Sequence, residues 1–408
     1  MLKNLQKRLF TSQSKDFFTQ KFTEDLCFIR PTEKIKCFRV MDENGKVISP
    51  KYDNLNKDLS LKILRNMITI SECDNRFYKA QREGKISFYM TCTGEEGSTV
   101  GSAAALSPDD LIYPQYREAA VLLYRGFTIQ QMAHQLTGNC NDIGKGRQMP
   151  VHYGSKELNY QTVSSPLCTQ VPQAAGAGYH YRVKKMKKIC VTYFGEGAAS
   201  EGDFHSALNF ASTLRSQTLF FCRNNMYAIS TPIDDQYNGD GISARGIAYG
   251  IPTIRVDGND VLAVYNAVKN AREIIINEGR PAVIEAMSYR GGDHSTSDSS
   301  KAYRNEKEMQ KWHDYLTKIG NPIVRFFNYM KDKNWITEQE YKEIEEHTKE
   351  EIRESLKKAF ACKKPSLDSM FEDVYESIPN NLKEQKESLK SHIIKYQDAY
   401  NLDNYVEN

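Results

Sequence analysis

The chain has 408 residues, room for one large α/β domain with extensions or for two domains, and its 40% hydrophobic share supports a sizeable core. No run approaches the roughly 18 apolar residues of a membrane-crossing helix, so no membrane partner is expected. The net charge of +3 arises at the start: residues 1–15 hold Lys3, Lys7, Arg8 and Lys15 and no acid, the remainder nets −1, and no nucleic-acid surface is implied.

In chain order, residues 1–20 place Leu2, Leu5, Leu9 and Phe10 among basic and hydroxyl residues. This reads as a transit peptide, most simply mitochondrial, with a frayed basic terminus as the alternative. Residues 28–85 read as an N-terminal extension ending in a helix. Within it, FRVMDENGKVI predicts two short strands about a turn at Asn44-Gly45, and apolar residues recur at helical spacing from Leu59 to about Gly84. A glycine-bearing loop follows, then helical stretches near 99–107 and 116–136.

The centre alternates. Strands are expected at 187–194, 218–223, 251–258 and 281–289, with helical patterns between them, including Phe204, Leu208, Ala211 and Leu214 on one face. Short apolar strands alternating with longer helices predict an α/β fold around a doubly wound, mostly parallel sheet. Ligands in such sheets sit beyond the carboxyl ends of the strands. Residues 86–304 form this domain, and 305–408 a charged helical region in which Thr337 and Glu340 make a capping box. The nine cysteines are scattered and never spaced CxxC, which fits reduced thiols and speaks against zinc.

The chemistry centres on GEGAASEGDFHSALNFASTLRSQTLFFCRNN, residues 195–225. Glu196 follows one strand and Asn224-Asn225 the next, so a parallel βαβ unit brings them to one sheet edge. A carboxylate with an amide oxygen suits magnesium, which keeps few protein ligands and takes water and phosphate oxygens for the rest. The flanking glycines let a diphosphate approach the backbone, and the helix that follows favours its charge. A nicotinamide-type glycine turn is the rival, but GEGAAS lacks the third glycine of GxGxxG, and Glu196 would repel a bare pyrophosphate.

GEG, 26 intervening residues and NN resemble the thiamine diphosphate and magnesium motif of thiamine enzymes, with Glu where many members carry Asp. ISFYMTCTGEEGSTVGSAAAL, YREAAVLLYRGF, GKGRQMPVHYG, SSPLCTQVPQAAGAGY, HSTSDSSKAYR and IPNNLKEQKESL narrow the match. From about residue 28 onward the chain resembles the alpha subunits of the decarboxylating component of 2-oxo acid dehydrogenases, of the branched-chain type.

The resemblance implies magnesium on Glu196, Asn225 and the Tyr227 carbonyl, with Met226 where the family commonly has Gly or another residue. It implies diphosphate contacts from Gly197, Ala198, Arg223 and Arg117, the last suited by its guanidinium fork. Tyr116 would bind the cofactor near the reacting centre, and Ser165 and Leu167 would hold the aminopyrimidine through backbone groups. Ser164, Pro166, Thr169 and Gln170 resemble a potassium site. Read without the family, SSPLCTQ is a helix N-cap with proline in the first turn.

His294 takes a proton-transferring or intermediate-stabilising role, and Asp293, where the family often has a second His, should raise its pKa if close. Ser295 matches a regulatory phosphorylation site of the animal enzymes, and the second such site falls on Asn305. A serine-rich loop without regulation is the alternative. Phe88 resembles a wall of the acyl pocket, and His152 reads as structural or as support for a site residue, not as catalytic.

The resemblance further implies thiamine diphosphate, Mg2+ and K+, a beta subunit completing the site in an α2β2 heterotetramer, a lipoyl-bearing acyltransferase core as acceptor, and possible control by a kinase. A pyruvate dehydrogenase alpha subunit and a non-catalytic scaffold are the competing functions.

Overall fold

The computed structural model describes residues 22–28, 33–318 and 320–407. The basic leader at 1–20 lies outside the described residues. Ile35–Asn408 form one compact unit. In the other, residues 22–28 are exposed and form no helix or strand.

The strands are β1 (Cys37–Phe38), β2 (Leu111–Tyr113), β3 (Cys190–Gly195), β4 (Thr218–Asn224), β5 (Tyr227–Ala228), β6 (Thr231–Pro232), β7 (Thr253–Asp257) and β8 (Ala282–Met287). β5 and β6 make a small antiparallel pair. The other six form one parallel sheet in the order β1-β7-β8-β4-β3-β2.

The helices before β3 are α1 (Lys57–Arg82), α2 (Glu96–Ala105), α3 (Ala119–Tyr124), α4 (Ile129–Thr137) and α5 (Gln170–Val183). The crossovers carry α6 (Gly202–Leu214), α7 (Ile233–Gln236), α8 (Ser243–Ala248) and α9 (Val261–Glu278). After β8 come α10 (Glu306–Lys318), α11 (Pro322–Asp332), α12 (Glu338–Ala361) and α13 (Asn380–Lys395).

Both sheet faces are covered, which is why the central strands are nearly continuous apolar runs. Leu219 and Phe221 of β4 share a core with Ile63 of α1, Val100 of α2 and Val264 of α9. Their neighbours Phe220 and Cys222 point the other way, against Val171 of α5 and Phe204 and Leu208 of α6. Each phenylalanine buried this completely is worth about 1.5–3 kcal/mol of transfer free energy. The sheet is therefore a rigid platform, and the loops at its carboxyl edge are free to carry chemistry.

Several expectations need adjustment. The helical stretch at 116–136 is two helices: α3 stops before Gly126, whose φ of 110° no helix accepts, and Thr128 starts α4 through a capping box with Gln131. SSPLCTQ is not a proline-led N-cap, because α5 begins at Gln170 and Cys168 has a φ of 67°. Pro166 therefore lies in the loop ahead of the helix. β2 falls in a segment given no strand in the sequence reading. Around Asn44-Gly45 the second strand shrinks to one bridge, Met41 to Val47. The Thr337–Glu340 capping box of α12 is present with both of its hydrogen bonds.

Candidate active site

Parallel pairing sets Gly195 of β3 beside Arg223 of β4, so the residues just past the two tips meet. The backbone N–H of Asn225 donates to Glu196 Oε2 at 3.2 Å. Glu196 is 2% exposed and Asn225 5%. Burial pushes the Glu196 carboxyl up to about 7, opposed by hydrogen bonds from backbone amides. A buried acid served mainly by amides can take a cation. Tyr227 donates its backbone N–H to Asn225 Oδ1 at 3.3 Å, and its own carbonyl accepts a long 3.4 Å bond from Arg290. Met226 between them has a φ of 70°, the left-handed region that favours glycine.

Beneath these tips sits Glu95, fully buried at the start of α2. It accepts from Arg223 Nη1 at 2.5 Å and Asn225 Nδ2 at 2.6 Å, with Arg117 Nε 3.9 Å away. Burial pushes its pKa up, but the charges of Arg223 and Arg117 prevail and hold it below the usual range. Arg223 Nε pairs with the buried Glu118, and Arg223 Nη2 has no partner among the described residues. A buried guanidinium with one idle donor is chemically suited to an anion.

Arg117 is buried and grips the loop after β8. Its Nη1 donates to the Thr91 carbonyl, and its Nη2 donates to the His294 carbonyl at 2.8 Å and approaches His294 Nδ1 at 3.3 Å. Tyr116 packs edge-on against the His294 ring, centroids 5.9 Å apart. Burial, then the charges of Arg117 and Arg290, push the His294 pKa down to about 4. Among the acids Asp298 opposes this shift most, while the Asp293 carboxylate accepts the Ser300 N–H at 2.7 Å. Asp298 is the acid at hand and accepts the His294 N–H at 2.8 Å.

Gly197 lies against the β5 segment, where an added Cβ would stand 2.4 Å from Ala228 Cβ. Ala198 is buried in a 3-10 turn over 198–200, so α6 begins five residues after Gly197 rather than directly behind it. Ser165 and Leu167 lie exposed on the loop before α5. Ser165 Oγ is 2.6 Å from His152 Nε2. On the same loop Ser164 and Thr169 are half-buried, Pro166 is exposed, and buried Gln170 donates to the Tyr193 carbonyl at 2.8 Å.

Half-buried Phe88 packs on the main core, and its neighbour Tyr89 is tied to Thr296 by two hydrogen bonds of 3.0 and 3.1 Å. Ser295 is 7% exposed. Asn305 turns its side chain onto the Lys307 N–H at the start of α10. No group of three or more His, Cys, Asp or Glu able to hold a metal ion occurs among the described residues.

No motif in the sequence singles out Glu95, Glu118 or Gln115, whose side-chain oxygen accepts the Gly195 N–H at 2.8 Å. The one local signal was a pair of acids between glycines in TGEEG.

Residues 64–368 match the family described as dehydrogenase E1 component. The chain is 48% identical over 378 residues to the mitochondrial 2-oxoisovalerate dehydrogenase subunit alpha 2 of Arabidopsis thaliana, covering 91% of this chain and 79% of that protein. It is 49% identical over 383 residues to the mitochondrial 2-oxoisovalerate dehydrogenase subunit alpha of Caenorhabditis elegans, covering 93% and 88%. It is 48% identical over 388 residues to that of Homo sapiens, covering 94% and 86%.

Proposed function

The chain belongs to the dehydrogenase E1 component family, and from that membership we infer that it is the alpha subunit of a mitochondrial branched-chain 2-oxo acid dehydrogenase. It acts in the oxidative decarboxylation of branched-chain 2-oxo acids with thiamine diphosphate. A beta subunit and a lipoyl-bearing acyltransferase core are its partners, the first in an α2β2 heterotetramer. The observation that carries the reading is the buried meeting of Glu196 with Asn225, flanked by an arginine holding an idle donor.

Glu196, Asn225 Oδ1 and the Tyr227 carbonyl would hold Mg2+, the last giving up its long bond from Arg290. Arg223, Arg117, Gly197 and Ala198 would receive the diphosphate, and Tyr116 would lie near the reacting end. The family likeness alone supports the backbone of Ser165 and Leu167 for the aminopyrimidine, and Ser164, Pro166, Thr169 and Gln170 for K+. When bound, thiamine diphosphate supplies the electron sink that lets carbon dioxide leave.

The chain's own work is to position and to manage protons. Arg117 donating toward His294 Nδ1 leaves the ring proton on Nε2. Neutral His294 can then donate from Nε2 to a substrate oxygen and recover the proton afterwards. Phe88 would wall the acyl pocket, and Ser295 would be the point where a kinase acts. The relatives are named for 2-oxoisovalerate, which favours this reading over a pyruvate dehydrogenase alpha subunit.

The test is carbon dioxide release from 3-methyl-2-oxobutanoate and from pyruvate by this chain assembled with its beta subunit. Turnover should require thiamine diphosphate and Mg2+, favour the branched substrate and vanish for this chain alone. Robust turnover by the isolated chain, or preference for pyruvate, would overturn it.

A further inference from the structure

Glu95 lies behind three of the groups assigned to the cofactor's charged end, Asn225, Arg223 and Arg117. One carboxylate oxygen takes Asn225 Nδ2 at 2.6 Å and the other takes Arg223 Nη1 at 2.5 Å. An asparagine amide has two faces, an acceptor oxygen and a donor nitrogen, and nothing in its shape decides which way it turns. A charged acceptor on the nitrogen side does decide it. With Nδ2 bound to Glu95, Oδ1 turns away from Glu95, toward the Tyr227 N–H. The opposite orientation would aim an NH2 at any cation held by Glu196. On Arg223, Glu95 and Glu118 occupy Nη1 and Nε and leave Nη2 as the donor still unused.

We propose that Glu95 is a positioning residue for the metal site: it orients the Asn225 amide, so affinity for Mg2+ depends on a carboxylate that does not touch the ion. This rests on the function proposed above. A purely electrostatic role predicts the reverse for the anion, because removing Glu95 leaves Arg117 and Arg223 less neutralised and should tighten diphosphate binding. A general disturbance of the TGEEG turn predicts that its buried neighbour Glu96, which accepts from Gly94 N at 3.0 Å, matters equally.

The experiment titrates Mn2+, a paramagnetic stand-in for Mg2+, into the assembled heterotetramer with thiamine diphosphate, reading free Mn2+ by electron paramagnetic resonance. E95Q should weaken Mn2+ binding by at least about tenfold, the scale of outer-shell effects on metal sites, whereas E96Q should stay within about threefold of the parent. The double variant E95Q/N225D should recover most of the loss, because an aspartate offers oxygen on both faces and the glutamine can donate to one of them. Parent-like binding by E95Q, equal loss in E96Q, or no recovery in the double variant overturns the proposal. Should E95Q fail to assemble, E95Q/N225D decides alone by binding near the parent or not. A parent heterotetramer whose Mn2+ affinity ignores thiamine diphosphate would instead overturn the function itself.

Discussion

Arg117 holds His294 at two points, its Nη2 donating to the backbone carbonyl at 2.8 Å and approaching ring Nδ1 at 3.3 Å. Its Nη1 meanwhile holds the Thr91 carbonyl, so one planar fork spans two loops. Lysine offers one point charge and cannot reproduce that span. R117K should therefore lower turnover of the heterotetramer by about 10²-fold, a share of the 10²–10⁴ that positioned proton transfer supplies. Its melting temperature should change little. Turnover within twofold of the parent would show that His294 does not depend on this fork.

The depressed pKa of His294 has a consequence for stability. Unfolded, the imidazole titrates at about 6.5; folded, it titrates at about 4, first because of burial and then because of Arg117 and Arg290. Between those values the unfolded chain binds the extra proton, so stability is full above about pH 6.5 and falls as pH drops toward 4. Asn cannot take up that proton. Denaturant unfolding of the parent and H294N at pH 7 and pH 5 should show the smaller acid loss in H294N. Equal losses would mean that the ring is already charged or solvated in the folded protein.

What was legible in the sequence follows burial. β3 and β4 are largely apolar on both faces, so each announces itself as a short apolar run, while β7 and β8 bury Arg255, Asp257 and Glu285 among their apolar residues. β1 and β2, two and three residues long, lean on neighbours for their identity and carry no pattern of their own. The Glu196–Asn225 pairing was readable because consecutive parallel strands must end on the same edge. Glu95 was not, because its partners Arg117, Arg223 and Asn225 lie 22 to 130 residues away in sequence and no local spacing connects them. The Asp293 expectation rested on adjacency, and Asp298 is the acid that raises the His294 pKa most. Adjacency in sequence placed a carboxylate beside His294, whereas the loop turns Asp298 toward it instead.

Glu196 illustrates function held at the expense of stability. It is buried with no positive side chain among its hydrogen-bond partners, and a charge left in that state is costly. E196Q keeps the shape and removes the charge. The cofactor-free variant should be as stable as the parent at pH 8 or more so, by on the order of 1–3 kcal/mol, while losing Mg2+-dependent binding of thiamine diphosphate. Paired thermal melts and calorimetric titrations read both effects. A variant that is destabilised yet still binds metal would remove Glu196 from the site.

Charge introduced at Ser295 would act on the loop that holds His294. Ser295 is nearly buried, its Oγ accepts the Ser297 N–H at 3.2 Å, and its carbonyl accepts the Asp298 N–H at 3.1 Å. Asp298 in turn accepts from the His294 N–H at 2.8 Å and from the Tyr303 hydroxyl at 2.6 Å. A phosphate brings about −1.5 to −2 charge to a position with an acid three residues away and no room to solvate it in place. The turn must open, and His294 loses the backbone bond that orients it. S295D, a milder version of the same insult, should cut turnover by about tenfold or more and speed proteolytic cleavage within residues 292–303. S295A, which adds no charge, should keep most of the activity. Stoichiometric phosphoserine at 295 with unchanged turnover and unchanged cleavage would remove this loop from any account of regulation.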